Sequence, residues 1–223
     1  MRQRKVINDF IKIFVRVEPT KIKNYLSRTI PFIRSENQLI EQKFLLKKIQ
    51  RYKKKKILDY GSNDCYFSKH FKNDYSYYGV DTNRDLLKKT TKIYSKNFYF
   101  LKNKNLPFKR NFFDCVVLSH VIAHIYNPYN LFRQIKKVLK KDGILIIVSP
   151  NKFYKFFYFF INLFNEYWPD ETISKHYSFD ELIKMNKKEW KVLEAFSYTI
   201  YNKKITYNVL NSRFMIIFKK NND

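Results

Sequence analysis

Two aspartates, each at the end of an apolar run, are the residues in this chain best suited to bind a ligand. Asp59 is followed closely by Gly61, one of only three glycines among 223 residues. A glycine there lets the backbone turn tightly and approach a ligand. Asp81 ends the next apolar run, where a carboxylate can accept hydrogen bonds from both hydroxyls of a ribose. The pair predicts a site for a nucleotide-type ligand, although strand-end aspartates can also serve only to cap the helices that follow.

Bringing these residues together requires a sheet whose strand ends share one edge. Apolar runs alternate with helix-like segments from residue 56 onward. This alternation predicts an α/β fold with a doubly wound, mostly parallel seven-stranded sheet, helices on both faces and a C-terminal antiparallel hairpin. Ligands of such sheets bind outside the carboxyl ends of the strands. The predicted strands span residues 57–60, 75–81, 98–101, 113–119, 144–149, 190–201 and 212–219.

Helices are predicted between these strands and before the first of them. Ser35 and Gln38 have the spacing of a capping box, and Ser178 is predicted to cap a later helix. Gly143 is predicted to end the helix before it and to lead into the fifth strand. The predicted helices span residues 35–52, 64–71, 84–94, 128–140 and 178–187.

The chain is predicted to have two parts. Residues 1–52 form an N-terminal helical cap and residues 53–223 form the main domain, with an aromatic lid insertion near 152–176. The lid is dense in Phe and Tyr, which suits either a buried helix or an apolar wall beside a ligand. Residues 5–17 have their apolar side chains on one helical face. Together these two stretches are compatible with peripheral contact with a membrane, which is one of the predicted interactions.

The formal net charge of +26 raises the question of a nucleic-acid partner. The excess is mostly lysine, scattered along the chain beside other residues with AT-rich codons, so the base composition of the gene explains much of it. The charge therefore gives little support for a nucleic-acid partner. The two cysteines, Cys65 and Cys115, make neither a disulfide framework nor a zinc-type spacing, and no metal site is predicted. These features predict a reducing, cytoplasmic location.

Several motifs occur in the order found in class I methyltransferases that use S-adenosylmethionine (SAM), and the chain resembles the type 11 group of that family. At 59–65 it reads Asp-Tyr-Gly-Ser-Asn-Asp-Cys, which is similar to the family's acidic residue followed by Gly-x-Gly-x-Gly. Gly61 stands at the first glycine position, and Asn63 and Cys65 stand at the second and third. Further similar segments are Gly-Val-Asp at 79–81, Leu-Pro-Phe at 106–108, Val-Leu-Lys-Lys-Asp-Gly at 138–143 and Ser-Pro-Asn at 149–151.

The resemblance implies SAM as the cofactor, together with a set of residues that bind it. Asp81 would hold the ribose, and Ser119 would lie beside the methionine part. Asn103 stands close to where relatives often have an aspartate that meets the adenine. The cofactor-binding residues implied in this way are Asp59, Gly61, Asn63, Asp81, Asn103 and Ser119.

Three histidines are candidates for a general base. Methyl transfer from a sulfonium mainly requires alignment of donor and acceptor, and a base helps when the acceptor is a hydroxyl or a carbon acid. His120 lies nearest the predicted site of transfer, His124 matches a histidine of the following helix in relatives, and His176 lies in a segment that often borders the substrate pocket. Each of the three could instead have a structural role.

The predicted function is O- or C-methylation of a small-molecule, lipid-linked or sugar-linked acceptor. The fourth strand lacks the Asn-Pro-Pro-Tyr type of ending that methyltransferases of base amino groups use, which argues against such a substrate. Cys65 and Lys102 depart from the family pattern and motivate one alternative, an inactive binding protein with this fold. A basic RNA methyltransferase is the other alternative. The sequence leaves the oligomeric state open.

Overall fold

A computed structural model gives the arrangement of most of the chain. The chain divides into two compact units, residues 1–33 and 34–223, and every residue described below belongs to the second. The N-terminal amphipathic segment, most of the predicted lid and Asn103 lie outside the described residues. The structure describes residues 36–71, 74–88, 97–102, 105–152, 173–201, 204–207 and 213–221.

Among the described residues, eight strands form the sheet, in the order β3-β2-β1-β4-β5-β8-β6-β7. Strands β1 to β5 are parallel to one another, whereas β8 runs antiparallel to β5 and β6, and β7 antiparallel to β6. The predicted α/β class, mostly parallel sheet and C-terminal antiparallel pair are confirmed. The strands are β1 Lys56–Tyr60, β2 Ser76–Asp81, β3 Phe98–Phe100, β4 Phe113–Ser119, β5 Leu139–Pro150, β6 Trp190–Tyr201, β7 Lys204–Thr206 and β8 Arg213–Lys220.

In the part of the chain that the structure describes, the sheet has one strand more than the seven predicted. The additional strand is β7, which pairs with the end of β6 through three residues, Lys204–Thr206. A strand this short has too few positions for an alternating pattern to stand out from the surrounding polar sequence.

Helices cover both faces of this sheet, as predicted. The α-helices are α1 Glu36–Arg51, α2 Tyr129–Val138 and α3 Phe179–Asn186. Residues 84–88 are also helical, and 3-10 helices span Tyr66–His70 and Ile122–His124. Within the described residues, no helix is both long and apolar enough to cross a membrane.

Strand β4 shows why its sequence is apolar at nearly every position. Val116 and Leu118 belong to a buried cluster that includes residues of α2 and α3. Cys115 and Val117 belong to a second cluster that includes Leu45 of α1. Successive side chains of a strand point to opposite faces, so a strand covered on both faces must be apolar throughout. Helix α1, which the sequence places in an N-terminal cap, therefore packs in the same compact unit as the sheet.

Two predicted helix ends differ from the structure. The helix predicted over 64–71 is a 3-10 helix that spans only Tyr66–His70, and its start is delayed because Cys65 has a left-handed backbone (φ 54°), which right-handed helices exclude. After α2, Asp142 rather than Gly143 adopts the left-handed conformation (φ 61°). Gly143 lies within β5, where a Cβ atom would come 2.8 Å from the carbonyl oxygen of Lys140. The glycine is thus required for close packing of backbone and not for a helix end.

The start of α3 is as predicted. Ser178 accepts a hydrogen bond from the Glu181 backbone N–H at 3.2 Å, and its own N–H donates to the Glu181 carboxylate at 2.7 Å. These reciprocal bonds satisfy two backbone donors that the helix itself leaves unpaired.

Candidate active site

A cavity of about 1200 Å³ opens at the carboxyl ends of β1, β2 and β4. The order of the strands reverses between β1 and β4, and open α/β sheets bind their ligands at such a reversal. Its described lining comes from α1, from the segments that follow β1, β2 and β4, and from the start of α2. The predicted residues Asp59, Gly61, Asn63, Asp81 and Ser119 all line it.

The loop after β1 has a left-handed backbone at three positions, although only one of them is a glycine. Gly61, Asn63 and Cys65 all have left-handed φ angles, of 75°, 52° and 54° respectively. Asn tolerates this conformation because its short polar side chain can hydrogen-bond locally. The Gly61 and Ser62 N–H groups donate to the Val80 carbonyl at 2.8 and 3.0 Å, which ties the loop to the end of β2. The chain path of a Gly-x-Gly-x-Gly loop is therefore present without its second and third glycines.

The side chain of Cys65 turns away from the cavity. It is fully buried, and its thiol donates to the Ser62 hydroxyl at a Sγ–Oγ distance of 3.2 Å. Burial raises the pKa of the Cys65 thiol, and the nearby carboxylates Asp59, Asp64 and Asp81 also raise it, which outweighs the opposing bond to Ser62. Cys65 is not part of the described cavity lining. The presence of cysteine at position 65, where the family motif has a glycine, thus leaves the space for a ligand open.

The carboxylate of Asp81 joins the two loops that follow β1 and β2. One oxygen accepts the Asn63 N–H and the other accepts the Asn83 N–H, both at 2.8 Å. Each carboxylate oxygen has two lone-pair sites, so each can accept a second hydrogen bond from a ligand hydroxyl. The arrangement serves as a loop anchor and also retains the capacity to bind a ribose.

Asp59 lies deeper, at the end of β1. Its side chain is almost fully buried and accepts a short hydrogen bond from the Tyr77 hydroxyl. Burial raises the pKa of Tyr77 well above its ordinary value, and the Asp59 charge raises it further. Tyr77 therefore stays protonated and continues to donate to this carboxylate.

His120 follows the last residue of β4 and is held from two sides. Its backbone has a left-handed φ of 58°, and its N–H donates to the Val148 carbonyl at 2.8 Å. Its ring Nε2 lies 2.6 Å from the Oε2 atom of Glu41 in α1. A carboxylate can only accept, so Nε2 carries the hydrogen, and in the neutral ring Nδ1 carries the lone pair.

Glu41 is a functional candidate that the sequence prediction missed. It is buried, with 5% of its surface exposed. Its Oε1 atom accepts a hydrogen bond from the Tyr198 hydroxyl at 2.5 Å and forms an ion pair with Arg213, whose Nε lies 3.2 Å away. Burial works to raise the pKa of Glu41, but the hydrogen bonds and charges of its three partners outweigh burial, and the pKa is lowered. The buried side chain is thus an ionised acceptor that fixes the His120 ring.

A sequence signal for Glu41 does exist. Glu41, Leu45 and Ile49 follow one another at four-residue intervals on α1, and all three are buried. Residues at i and i+4 lie on the same helical face, so Glu41 occupies a position in the apolar stripe. An acid in that position needs buried partners, although the sequence does not say which ones.

The other predicted site residues have different positions. His124 is exposed, ends the 3-10 helix Ile122–His124 and also lines the cavity. His176 is half-buried just before α3 and does not contribute to the described lining. Lys102 is exposed and also outside that lining, and Asn103 is not among the described residues. Among those that are, no cluster of three or more His, Cys, Asp or Glu side chains could hold a metal ion.

We expect Gly61→Ala to lower the free energy of unfolding by about 2 kcal/mol or more. The φ of 75° is unfavourable for any residue with a Cβ atom, and that atom would lie 2.4 Å from Cγ2 of Val121. Chemical denaturation would measure the change. Adding Val121→Ala removes the contact and should recover part of the loss, leaving the backbone strain. A Gly61→Ala protein as stable as the wild type would contradict this account of the loop.

Stability should also depend on pH through Glu41. His120, Tyr198 and Arg213 are the charged or titratable groups that contact it. Its pKa is lowered from 4.5 in the folded protein, so its contribution is present above that pH and is lost as the pH falls through the lowered pKa. Glu41→Gln should therefore be less stable by about 2 kcal/mol at pH 7, and the difference should shrink below pH 4.5. Thermal unfolding of both proteins across this range measures it, and a constant difference would contradict the assignment.

Comparison with known proteins places these features in one family. Residues 34–189 match the family model described as a methyltransferase domain. An uncharacterised protein of Methanocaldococcus jannaschii is 30% identical over 155 residues, which are 66% of this chain and 62% of that relative. The chain thus spans less than two thirds of the length of this curated relative.

Solved structures with the same fold are numerous. A SAM-dependent methyltransferase from Archaeoglobus fulgidus has a TM-score of 0.57 and 21% identity, covering 80% of this chain and 94% of that one. For a SAM-dependent methyltransferase from Aquifex aeolicus the TM-score is 0.60 and the identity 19%, with coverage of 91% and 98%. At these identities the likeness establishes the fold.

Proposed function

We propose that this chain, which belongs to the methyltransferase domain family, transfers the methyl group of SAM to a hydroxyl or carbon acid of a small-molecule, lipid-linked or sugar-linked acceptor. One observation carries the proposal. The same cavity contains the loop anchored by Asp81 and the His120 ring held by Glu41. The first suits a nucleoside cofactor, and the second suits removal of a proton from an acceptor.

The residues present fit SAM. The charged side chains of the described lining, histidines aside, are the carboxylates Glu41, Asp59 and Asp81, which suit a sulfonium cation. Gly61, Ser62 and Asn63 of the loop after β1 line the cavity, and Asp81 can accept bonds from both ribose hydroxyls. When bound, SAM would supply an activated methyl group, and its transfer depends mainly on alignment.

The roles we propose for this chain's residues follow from that fit. Asp81 binds the ribose, and the backbone of Gly61 and Asn63 lies against the cofactor. Ser119 flanks the methionine part. His120 accepts the acceptor's proton at Nδ1, and Glu41 positions the ring without itself touching the acceptor.

The proposal assigns no role to nucleic acid. An RNA acceptor would require cations near the cavity to pair with phosphates, and the described lining has no lysine or arginine. Peripheral contact with a membrane would suit a lipid-linked acceptor and forms part of the proposal only in that case.

Isothermal titration calorimetry with SAM and S-adenosylhomocysteine tests the proposal. We expect binding of both with dissociation constants between about 1 μM and 1 mM, the usual range for enzyme substrates. No heat from either compound at millimolar concentration would overturn the assignment. Binding of both, without transfer of a labelled methyl group to any acceptor in an extract of small molecules and lipids, would instead indicate a binding protein that has lost catalysis.

A further inference from the structure

The cavity is an acidic region in a strongly basic protein. Lysine and arginine make up 45 of the 223 residues, yet neither occurs in the described lining. That lining contains the carboxylates Glu41, Asp59 and Asp81. The carboxylate of SAM is accompanied by the ammonium group of the same molecule, whereas a phosphate or carboxylate on the acceptor would have to lose water here without a lysine or arginine of the described lining as partner, which is costly. The electrostatics therefore select against an anionic acceptor.

Three side-chain amides in the same lining present hydrogen-bond donors. Gln42 accepts at its carbonyl oxygen from His70 Nε2 at 3.1 Å. Asn127 accepts from the Tyr129 N–H at 3.2 Å, and Asn130 from Arg133 Nη2 at 3.1 Å. Each carbonyl oxygen already accepts one hydrogen bond within the protein and keeps one further lone pair, and the NH₂ group of each amide can donate to a ligand. These donors match the oxygens of hydroxyl and ether groups.

An exposed aromatic ring also lines the cavity, next in sequence to Asn127. Tyr126 has 76% of its surface exposed, and a flat ring of this kind can pack against the C–H groups of a ligand. The segment is fixed in place, since the hydroxyl of buried Tyr177 lies 2.8 and 2.7 Å from the carbonyl oxygens of Ile125 and Tyr126. The Tyr126 ring is therefore presented on an ordered support.

We infer that the acceptor group is an uncharged, hydroxyl-rich ring of the glycosyl type. Its C–H face would pack on the Tyr126 ring, its oxygens would accept from Gln42, Asn127 and Asn130, and the hydroxyl to be methylated would face His120. This inference rests on the proposed function, because it concerns the acceptor end of the same cavity. The glycosyl ring can belong to a free glycoside or to a lipid-linked one, since the same contacts recognise both.

Transfer of tritiated methyl groups from SAM tests the inference directly. The panel comprises methyl glycosides of common hexoses, the matching octyl glycosides, the matching 6-phosphates and the matching uronic acids. We expect labelling of at least one neutral glycoside, with its 6-phosphate labelled at least about tenfold less. Labelling of octyl glycosides alone would indicate that the glycosyl acceptor is lipid-linked. Labelling of methyl glycosides as well would indicate that a free glycoside is accepted.

Tyr126→Ala supplies the residue-level test. We expect it to raise KM for the labelled glycoside about fivefold to tenfold while the affinity for SAM stays unchanged. Tyr207→Ala is the matched control, because Tyr207 is also 59% exposed but lies outside the described lining. Two results would overturn the inference and leave the proposed function intact. One is preferential labelling of phosphorylated sugars. The other is that no neutral glycoside is labelled although S-adenosylhomocysteine still binds. Loss of S-adenosylhomocysteine binding itself would overturn both.

Discussion

Asp81→Ala is expected to weaken SAM binding by at least about 100-fold, because charge-assisted hydrogen bonds to two ribose hydroxyls are among the stronger single contacts in a binding site. The substitution has a second effect at the same place. Asp81 also accepts the Asn63 and Asn83 N–H groups, so its loss frees the loop that must lie against the cofactor. Calorimetry with SAM measures the outcome.

Two further variants separate binding from loop anchoring. Asp81→Asn keeps one acceptor oxygen and the side-chain shape, and it should lose less affinity than the alanine variant. Asp85→Ala makes the same change of charge at an exposed position four residues later in the chain, outside the described cavity lining, and should leave affinity unchanged. If Asp81→Ala lowers the melting temperature but keeps SAM affinity within about threefold, Asp81 is a cap for its loops and not a ribose ligand.

The part of the site that the sequence predicted is the part determined by strand ends. Parallel strands bring their carboxyl ends to one edge, so locating β1 and β2 was enough to predict that Asp59 and Asp81 would meet, whereas Ser119 was implied by the family resemblance. The strands themselves could be located because a sheet covered on both faces needs continuous apolar runs. Local backbone was predicted less well, since the loop after β1 has its left-handed residues at Asn63 and Cys65, where no glycine marks them.

The part that the sequence could not predict depends on contacts between distant residues. Glu41 meets His120 from 79 positions away and Tyr198 from 157 positions away. Periodicity shows that Glu41 is on the buried face of α1, but the choice of partner depends on how α1 packs across β6 and β8. The same limit applied to His176, which lies in a suitable segment of sequence but outside the described cavity lining.

Glu41→Gln is expected to lower kcat by about 100-fold or more, through the tautomer of His120. Tyr198 donates to Oε1 of Glu41 and the Arg213 cation lies beside the same oxygen, so in the variant the amide oxygen should occupy that position. The NH₂ group then replaces Oε2 and points its hydrogens at His120 Nε2. The ring responds by carrying its hydrogen on Nδ1, where it can no longer accept a proton from the acceptor.

Nitrogen-15 NMR of the imidazole tests this step without an acceptor. Wild-type protein should show the neutral ring protonated at Nε2, and Glu41→Gln should show it protonated at Nδ1. Tyr198→Phe is the matched control, because it removes one hydrogen bond to the same carboxylate but leaves Oε2 facing His120. We expect that variant to keep the wild-type tautomer and most of the activity.

The double variant decides whether Glu41 acts through His120. His120→Gln should lower kcat by about 100-fold to 10,000-fold with SAM affinity unchanged, which is the usual contribution of a general base. If Glu41 only orients that base, adding Glu41→Gln to His120→Gln should cost little more, because the group it orients is already absent. Losses that multiply in the double variant would mean that Glu41 supports the cavity by packing and charge alone, with no part in proton removal.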